Sequence, residues 1–254
     1  MVCHTGIFRC GAMAIVLLIA GCSAPPPVAA PTTGTIRGVV KYAGPKPEPR
    51  RLSVATDPYC AKCWELEGKT GPLSERWIWG DNETLVNVLV WISDGLGDRV
   101  FEVPKEQVTL ELSACRFEPH VLAVRVGQPF FLTSADGTLH APVNVSLIEP
   151  MVVPPLPVPD SLLFRFSKEE IGKDFQCQAH AWERAYVHVL AHPYYDITRQ
   201  AGTFEIRDVP LGEYELSAWH ELRVFIADQP KMRVIVEAGK VSEVIFTYRP
   251  RERG

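Results

Sequence analysis

The sequence of 254 residues lacks the short motifs by which several large enzyme classes are identified. It has no G-x-S-x-G elbow, no Walker phosphate loop, no H-E-x-x-H pair and no Rossmann glycine string, so hydrolase chemistry has no anchor in it. It also lacks an excess of positive charge, since 26 Lys and Arg residues face 30 Asp and Glu residues, for a formal net charge of −4. This balance removes the electrostatic basis for nucleic-acid binding, and no nucleic-acid partner is expected.

The N-terminal apolar run, residues 12–20, is too short to span a bilayer comfortably, and Arg9 precedes it, as in a secretory signal peptide. Residues 19–22, Ile-Ala-Gly-Cys, resemble the bacterial lipobox, in which small residues admit the signal peptidase and the cysteine is acylated. The resemblance implies a lipoprotein signal at residues 1–22, a lipid on Cys22 that holds the protein to the membrane, and a place in the cell envelope at the outer membrane or periplasmic face. An ordinary signal peptide that contains a cysteine, or an uncleaved anchor, is the alternative.

Residues 23–33 are rich in proline and alanine and have almost nothing to bury, which indicates an extended tether between the lipid and the folded part. The remaining chain is long enough for one large or two small domains with an apolar core.

Seven cysteines are present, but Cys3 and Cys10 would leave with the signal peptide and Cys22 would be acylated. The four that remain are Cys60, Cys63, Cys115 and Cys177. An exported protein sits where disulfides can persist. Four thiols allow three complete pairings, and one thiol is left over if another binds a metal. The count alone therefore does not determine which cysteines form a disulfide.

The Cys60-Ala61-Lys62-Cys63 segment matches none of the usual uses of a C-x-x-C motif. Haem attachment needs a histidine after Cys63, where Trp64 stands; a zinc ribbon needs a second pair; and a thioredoxin-like role needs a βαβ setting. We expect instead that one of the two cysteines pairs with Cys115, with Cys60 favoured over Cys63.

Short runs in which apolar and polar residues alternate are separated by Gly, Pro, Asp and Asn. The runs are residues 35–42, 85–92, 108–112, 122–126, 130–133, 185–190, 203–206 and 214–219. Period-two alternation with frequent turn signals predicts an all-β sandwich or barrel. Residues 167–171 fit a helical turn capped by Ser167, and the five prolines of residues 150–159 indicate an extended excursion between strands.

Two distant segments resemble carboxypeptidase-regulatory-like (transthyretin-like) β-sandwich modules. Residues 34–40, Gly-Thr-Ile-Arg-Gly-Val-Val, resemble their opening strand, and residues 202–216, with the pattern G-x-F-x-I-x-x-V-P-x-G-x-Y-x-L, resemble their closing hairpin. The resemblance implies one sandwich built from residues 34–108 and 193–254. Residues 109–192 would then be inserted into it or packed beside it.

The segment around Cys177 resembles the metal-binding loop of cupredoxins of the plastocyanin and azurin type. Those proteins present Cys, His and Met at a spacing like C-x2-H-x2-M, and Cys177 and His180 stand at that spacing. Residues 134–140 resemble the strand end that supplies the other histidine, His140, with Ser134 where Asn is usual. The resemblance implies a Greek-key sandwich at residues 109–192 with copper on His140, Cys177 and His180.

The fourth ligand is where the sequence departs from that pattern, because Glu183 stands at the methionine position. A carboxylate is a harder ligand than a thioether, so coordination by Glu183 should lower the potential and shift the spectrum. Two imidazoles and a thiolate suit both copper oxidation states, which implies single-electron transfer with a redox partner protein. An electron carrier or binding protein is expected rather than an enzyme.

Two other functions stay open. The chain could be a metal-free surface module that presents Trp219 and His220 to a glycan or protein, or a copper carrier or sensor that uses the same ligands. His120 could be an alternative ligand or could orient one, although a histidine that caps a strand edge is the simpler interpretation. His188 alternates with valines and is expected to face solvent or a neighbouring strand.

Overall fold

The protein is described here from a computed structural model, which defines residues 32–146, 148–151, 153–156, 160–222, 225–227 and 231–250. The predicted signal segment, Cys22 and the first nine residues of the predicted tether lie outside the described residues. No helix in the described part of the chain is long and apolar enough to cross a membrane.

The described chain is built almost entirely of strands, which confirms the all-β prediction. The strands are β1 (Thr33–Tyr42), β2 (Leu89–Asp94), β3 (Val108–Ser113), β4 (Arg116–Glu118), β5 (Val121–Arg125), β6 (Phe130–Ser134), β7 (Pro142–Val145), β8 (Asp160–Phe164), β9 (Glu170–Cys177), β10 (Arg184–Leu190), β11 (Tyr195–Ile197), β12 (Thr203–Pro210), β13 (Gly212–Trp219), β14 (Phe225–Ala227), β15 (Lys231–Val236) and β16 (Val241–Pro250). One α-helix, α1 (Pro58–Leu66), and a 3-10 turn, Asp81–Glu83, interrupt them.

The strands form four four-stranded sheets that share two apolar cores. Sheets β12-β1-β16-β14 and β11-β2-β13-β15 enclose one core, to which β1 contributes Ile36, β12 Phe204 and β13 Leu216. Sheets β4-β3-β6-β8 and β5-β10-β9-β7 enclose the other, with Phe130 of β6 facing Phe175 of β9. The second pair of sheets is formed by the chain between β2 and β11, so it interrupts the first pair in sequence.

Period-two burial explains why these segments become strands. In β16 the alternate residues Val244, Phe246 and Tyr248 are buried, while their neighbours are exposed or half-buried. Successive side chains of a strand point to opposite faces, so this pattern places one apolar face against the core.

The helix α1 is a feature that the sequence interpretation missed. Asp57 is its N-cap, because Oδ1 accepts a hydrogen bond of 2.9 Å from the amide of Cys60, and Pro58 occupies the first helical position. Cys60 forms a disulfide with Cys115, which lies in the turn between β3 and β4, and Cys63 is a free cysteine. The disulfide therefore joins α1 to the second pair of sheets.

The predicted helical turn at residues 167–171 is wrong. Both the amide and the hydroxyl of Ser167 donate to the carboxylate of Glu149, so Ser167 does not cap a helix. Glu170 is already the first residue of β9 and pairs with Lys173 at 2.7 Å.

The predicted hairpin at residues 202–216 is also wrong. β12 pairs with β1 and β13 pairs with β2 and β15, so the two strands belong to opposite sheets. The turn at Leu211 crosses from one sheet to the other. A hydrogen bond of 2.9 Å, donated by the Tyr214 hydroxyl to the carbonyl of Pro210, stabilises this turn.

Candidate metal centre

Four residues of the second pair of sheets meet at one end of it. Cys177 is the last residue of β9, and the loop from β9 to β10 supplies His180 and Glu183. This loop is short and closed, because the amide of Cys177 donates to the carbonyl of Glu183 and the amide of Glu183 to the carbonyl of His180. Pairing of Pro142 with Cys177 across β7 and β9 brings His140 beside the same loop.

The donor atoms of these four side chains face one another. Nδ1 of His140 and Nδ1 of His180 are 3.2 Å apart, and the two oxygens of Glu183 lie 3.0 Å and 3.2 Å from them. Sγ of Cys177 is 3.7 Å from Nδ1 of His180 and accepts a hydrogen bond of 3.4 Å from the amide of Ala141. All four side chains are buried.

These separations fit ligands arranged around one metal ion. Nitrogen ligands about 2.0 Å from a metal lie roughly 3.3 Å apart in a tetrahedral site, and a nitrogen and a thiolate about 3.6 Å apart. One oxygen of Glu183, Oε1, is buried and has no hydrogen-bond partner among the described residues, although it lies 3.2 Å from Nδ1 of His180. A buried carboxylate oxygen without a partner is costly, and a cation at the centre of this cluster would satisfy it.

A carboxylate stands behind His140, on the side away from the donor cluster. Oδ2 of Asp136 is 3.2 Å from Nε2 of His140, although the contact is not aligned as a hydrogen bond. The same oxygen accepts a hydrogen bond of 2.9 Å from the amide of Cys115. The disulfide-bonded turn thus holds Asp136 in place behind the imidazole.

A second carboxylate stands behind His180. Oδ2 of Asp57 lies 3.3 Å from Nε2 of His180 and accepts a hydrogen bond of 2.8 Å from the hydroxyl of Thr138. Burial opposes the charge on Asp57, but the bonds from Cys60, Thr138 and His180 outweigh it and lower the pKa of this carboxyl. A carboxylate at Nε2 keeps the proton on that nitrogen and leaves Nδ1 free to bind a metal.

The pocket attracts positive charge. Burial opposes protonation of His140, yet Asp136, Cys177 and Glu183 overcome it and raise the pKa of His140 to about 11. Without a metal the cluster therefore holds a proton, and a metal ion would take over the neutralising role of that proton.

Trp182 shields the cluster from one side. Its ring lies over the ring of His180, with centroids 4.9 Å apart, and its Nε1 donates to the carbonyl of Cys115 at 3.0 Å. On another side Leu156 lies against His140, because the backbone of Leu156 bonds to that of His140 in both directions. Water is thus excluded from the donor atoms.

The remaining histidines singled out from the sequence lie elsewhere. His120 is buried, with Nδ1 2.9 Å from the carbonyl of Arg184 and Nε2 2.8 Å from Glu221, and it contacts none of the four clustered residues. His120 is therefore neither a ligand nor a support of this cluster.

His188 does not face solvent, contrary to one of the two expected placements. It is fully buried against the ring of Trp219, with centroids 4.5 Å apart, and Nδ1 accepts a hydrogen bond from the amide of Gly172. Burial lowers the pKa of His188 to about 3 and that of His220 to about 4. Trp219 is half-buried and His220 is buried, so they form no exposed pair of the kind that a surface-binding module would present.

No protein-family model and no curated protein sequence matches this chain. Among solved structures, part of the chain is similar to a copper-containing nitrite reductase from Thermus scotoductus SA-01, at 22% identity and a TM-score of 0.31, over 38% of this chain and 24% of that one. A purple cupredoxin from Nitrosopumilus maritimus matches at 22% identity and a TM-score of 0.29, over 32% of this chain and 97% of that one. A mutant of amicyanin with Cu(I) matches at 18% identity and a TM-score of 0.31, over 39% of this chain and 97% of that one. The structural neighbours are thus cupredoxins, and the likeness is partial.

Proposed function

We propose that this chain is a cupredoxin-type copper protein that transfers single electrons. The observation that supports the proposal most strongly is the convergence of two imidazole Nδ1 atoms, one thiol and one carboxylate, all buried, on a common centre. Two nitrogens and a thiolate form a set that suits both Cu(I) and Cu(II), so an electron can move with little rearrangement of the ligands.

Each residue of the cluster has a distinct role in this proposal. His140, His180 and Cys177 hold the metal, and Glu183 supplies the fourth donor. Copper would supply a one-electron couple at this position. The amide of Ala141 donates to Sγ of Cys177, which stabilises the thiolate form of that ligand.

Lipid attachment and location are part of the proposal and rest on the sequence alone. Cys22 would carry the lipid, and residues 23–33 would span the distance from the membrane surface to β1. The protein would act in the cell envelope with a redox protein as partner. The wild-type protein should incorporate radiolabelled palmitate when cells are grown with it, Cys22→Ala should abolish the labelling, and absence of label from the wild-type protein would refute the anchor.

The decisive experiment is metal analysis with an absorption spectrum of the copper-loaded chain. We expect one copper per chain and a thiolate-to-copper charge-transfer band. Cys177→Ser should abolish the band, whereas Cys63→Ser, which removes the other free thiol of the described residues, should leave it unchanged. Absence of the band from copper-loaded wild-type protein would refute the proposal.

Redox cycling separates electron transfer from copper transport. An electron carrier keeps its copper through repeated reduction and oxidation, because its ligands fit both states. Release of the copper on reduction would favour a carrier or sensor instead. A chain that takes up no metal at all would refute both copper functions.

A further inference from the structure

The disulfide lies directly beside the candidate metal centre. The sulfur atoms of Cys60 and Cys115 and a carboxylate oxygen of Glu183 all lie within 4.8 Å of one another. Sγ of Cys60 also lies within 4.8 Å of donor atoms of Asp57 and His180. Both cysteines are fully buried.

Glu183 therefore faces two sets of possible ligands. On one side it contacts the imidazoles of His140 and His180, and on the other it approaches the two sulfur atoms of the disulfide. Its side chain is fully buried, and Oε1 has no hydrogen-bond partner among the described residues. Such a carboxylate can serve as a ligand on both sides.

We propose that reduction of the disulfide creates a second metal site, formed by the thiolates of Cys60 and Cys115 with the carboxylate of Glu183. The inference builds on the proposed function, because Glu183 is shared with the four-residue copper site. Two thiolates are soft ligands, and soft ligands favour binding of the soft ion Cu(I). The chain would then hold one copper ion when the disulfide is formed and two Cu(I) ions when it is reduced.

The backbone around the disulfide would keep the two thiols facing each other. The Cα atoms of Cys60 and Cys115 are 5.7 Å apart. Two thiolates about 2.3 Å from a shared metal lie roughly 3.8 Å apart, a separation that rotation about χ1 of either cysteine can reach.

Each cysteine is fixed by bonds that do not depend on the disulfide. The amide of Cys115 donates to Asp136 and its carbonyl accepts from Trp182, and the amide of Cys60 is held by the N-cap Asp57. The thiol pair is therefore a preorganised site once the bond between the sulfurs is broken.

The redox step needs an external dithiol. The dithiol gives two electrons and two protons to the disulfide, which becomes two thiols, while the dithiol itself closes to a disulfide. Metal binding then displaces the two thiol protons to solvent. The number of Cu(I) ions bound per chain would then depend on whether the thiols in the surroundings are reduced or oxidised.

The test counts Cu(I) ions in oxidised and reduced protein. The protein purified after removal of its signal peptide, with Cys63→Ser to remove the other thiol of α1, is either left oxidised or reduced with a phosphine and desalted without oxygen. Cu(I) is then titrated in competition with the chromophoric chelator bicinchoninate. We expect one equivalent in the oxidised protein and two in the reduced protein. A variant that also has Cys60→Ser and Cys115→Ser should bind one equivalent after either treatment.

Several outcomes would overturn the inference. These are a reduced protein that binds no more Cu(I) than the oxidised one, a triple variant that still gains a second equivalent, and loss of near-ultraviolet circular dichroism on reduction, since an unfolded chain has no preorganised site. One equivalent in both states would refute this inference and leave the four-residue site intact. No copper in the oxidised state and one equivalent in the reduced state would support the thiolate site and refute the four-residue copper site.

A second measurement does not depend on how the serine variants fold. Extended X-ray absorption fine structure of reduced wild-type protein loaded with two equivalents of Cu(I) should show more than one sulfur ligand per copper ion on average, because the second site would contribute two thiolates. One sulfur ligand per copper ion or fewer would overturn the inference.

Discussion

A substitution at Asp57 should change the metal affinity while leaving the free energy of unfolding nearly unchanged. One of its oxygens caps α1 by accepting from the amide of Cys60, and the other faces Nε2 of His180 and the hydroxyl of Thr138. Asn and Asp are about equally good N-caps, so Asp57→Asn should keep the helix. The amide nitrogen of the new side chain, however, cannot accept a proton from Nε2 of His180.

The expected effect on metal binding follows from the tautomer of His180. With a donor in place of Oδ2, the imidazole is no longer held with its proton on Nε2, and Nδ1 is no longer kept free as a ligand. Loss of such a supporting partner typically weakens metal binding about 10- to 100-fold, which corresponds to about 1.4 to 2.7 kcal/mol. The free energy of unfolding of the metal-free protein should change by less than about 1 kcal/mol.

Two assays test the prediction. A chelator-competition titration gives the copper affinity of wild type and Asp57→Asn, and a denaturant titration gives the stability of the metal-free forms. Thr138→Val is the matched control, because it removes the other partner of the same oxygen and leaves the carboxylate at His180. Copper affinity of Asp57→Asn within twofold of wild type would show that this carboxylate does not orient the ligand.

Three further predictions concern the candidate fourth ligand Glu183, acid stability and the disulfide. Glu183→Met replaces a hard donor by a soft one, so the reduction potential should rise and the charge-transfer bands should shift; voltammetry that finds an unchanged potential would mean that Glu183 is not a ligand. Because burial lowers the pKa of His188 to about 3, below its usual value of about 6.5, its contribution to stability is present above pH 6.5 and is lost as the pH falls toward 3. Wild type should therefore lose about 2 kcal/mol more than His188→Gln between pH 7 and pH 5 in denaturant titrations, and equal losses would contradict burial of a neutral imidazole. The disulfide closes a loop with a sequence separation of 55, so replacement of Cys60 and Cys115 by Ser should cost about 4 kcal/mol of unfolding free energy, against no measurable loss for the control Cys63→Ser.

Strands were predictable where burial imposes a period of two along the chain. β5 and β10 belong to runs of alternating or continuous apolar residues, and both lie within one or two residues of the predicted bounds. The C-x2-H spacing of Cys177 and His180 was visible for a related reason, because both residues belong to one short loop between two such strands. Local patterns predict local structure well.

The carboxylate that supports His180 could not be predicted from local patterns. Asp57 meets His180 across 123 residues of sequence and Thr138 across 81, and nothing in its immediate neighbourhood points to either contact. Asp57 followed by Pro58 is a helix-start signal, but the helix is only nine residues long and it stands in a chain dominated by strand patterns. Asp136, four residues before His140, was the one supporting residue with a nearby signal.

The two wrong predictions have a common physical cause. A Gly-containing turn between β12 and β13 has the same local chemistry whether the two strands pair with each other or lie in facing sheets. The choice between these arrangements depends on the partner strands β1 and β2. Ser167 likewise has the chemistry of a helix cap, yet Glu149, eighteen residues earlier, takes both of its donors. Contacts made by distant residues override local preference in both places.

The candidate metal centre is not a property of the second pair of sheets alone. Its four candidate ligands come from that part of the chain, but the carboxylate behind His180 comes from the segment between β1 and β2. The disulfide between Cys60 and Cys115 joins α1 to the part that carries the four residues. A change that loosens α1 therefore acts first on the orientation of His180 through Asp57, and only then on the ligands themselves. Metal affinity should for that reason be sensitive to the disulfide even though neither of its cysteines belongs to the four-residue site.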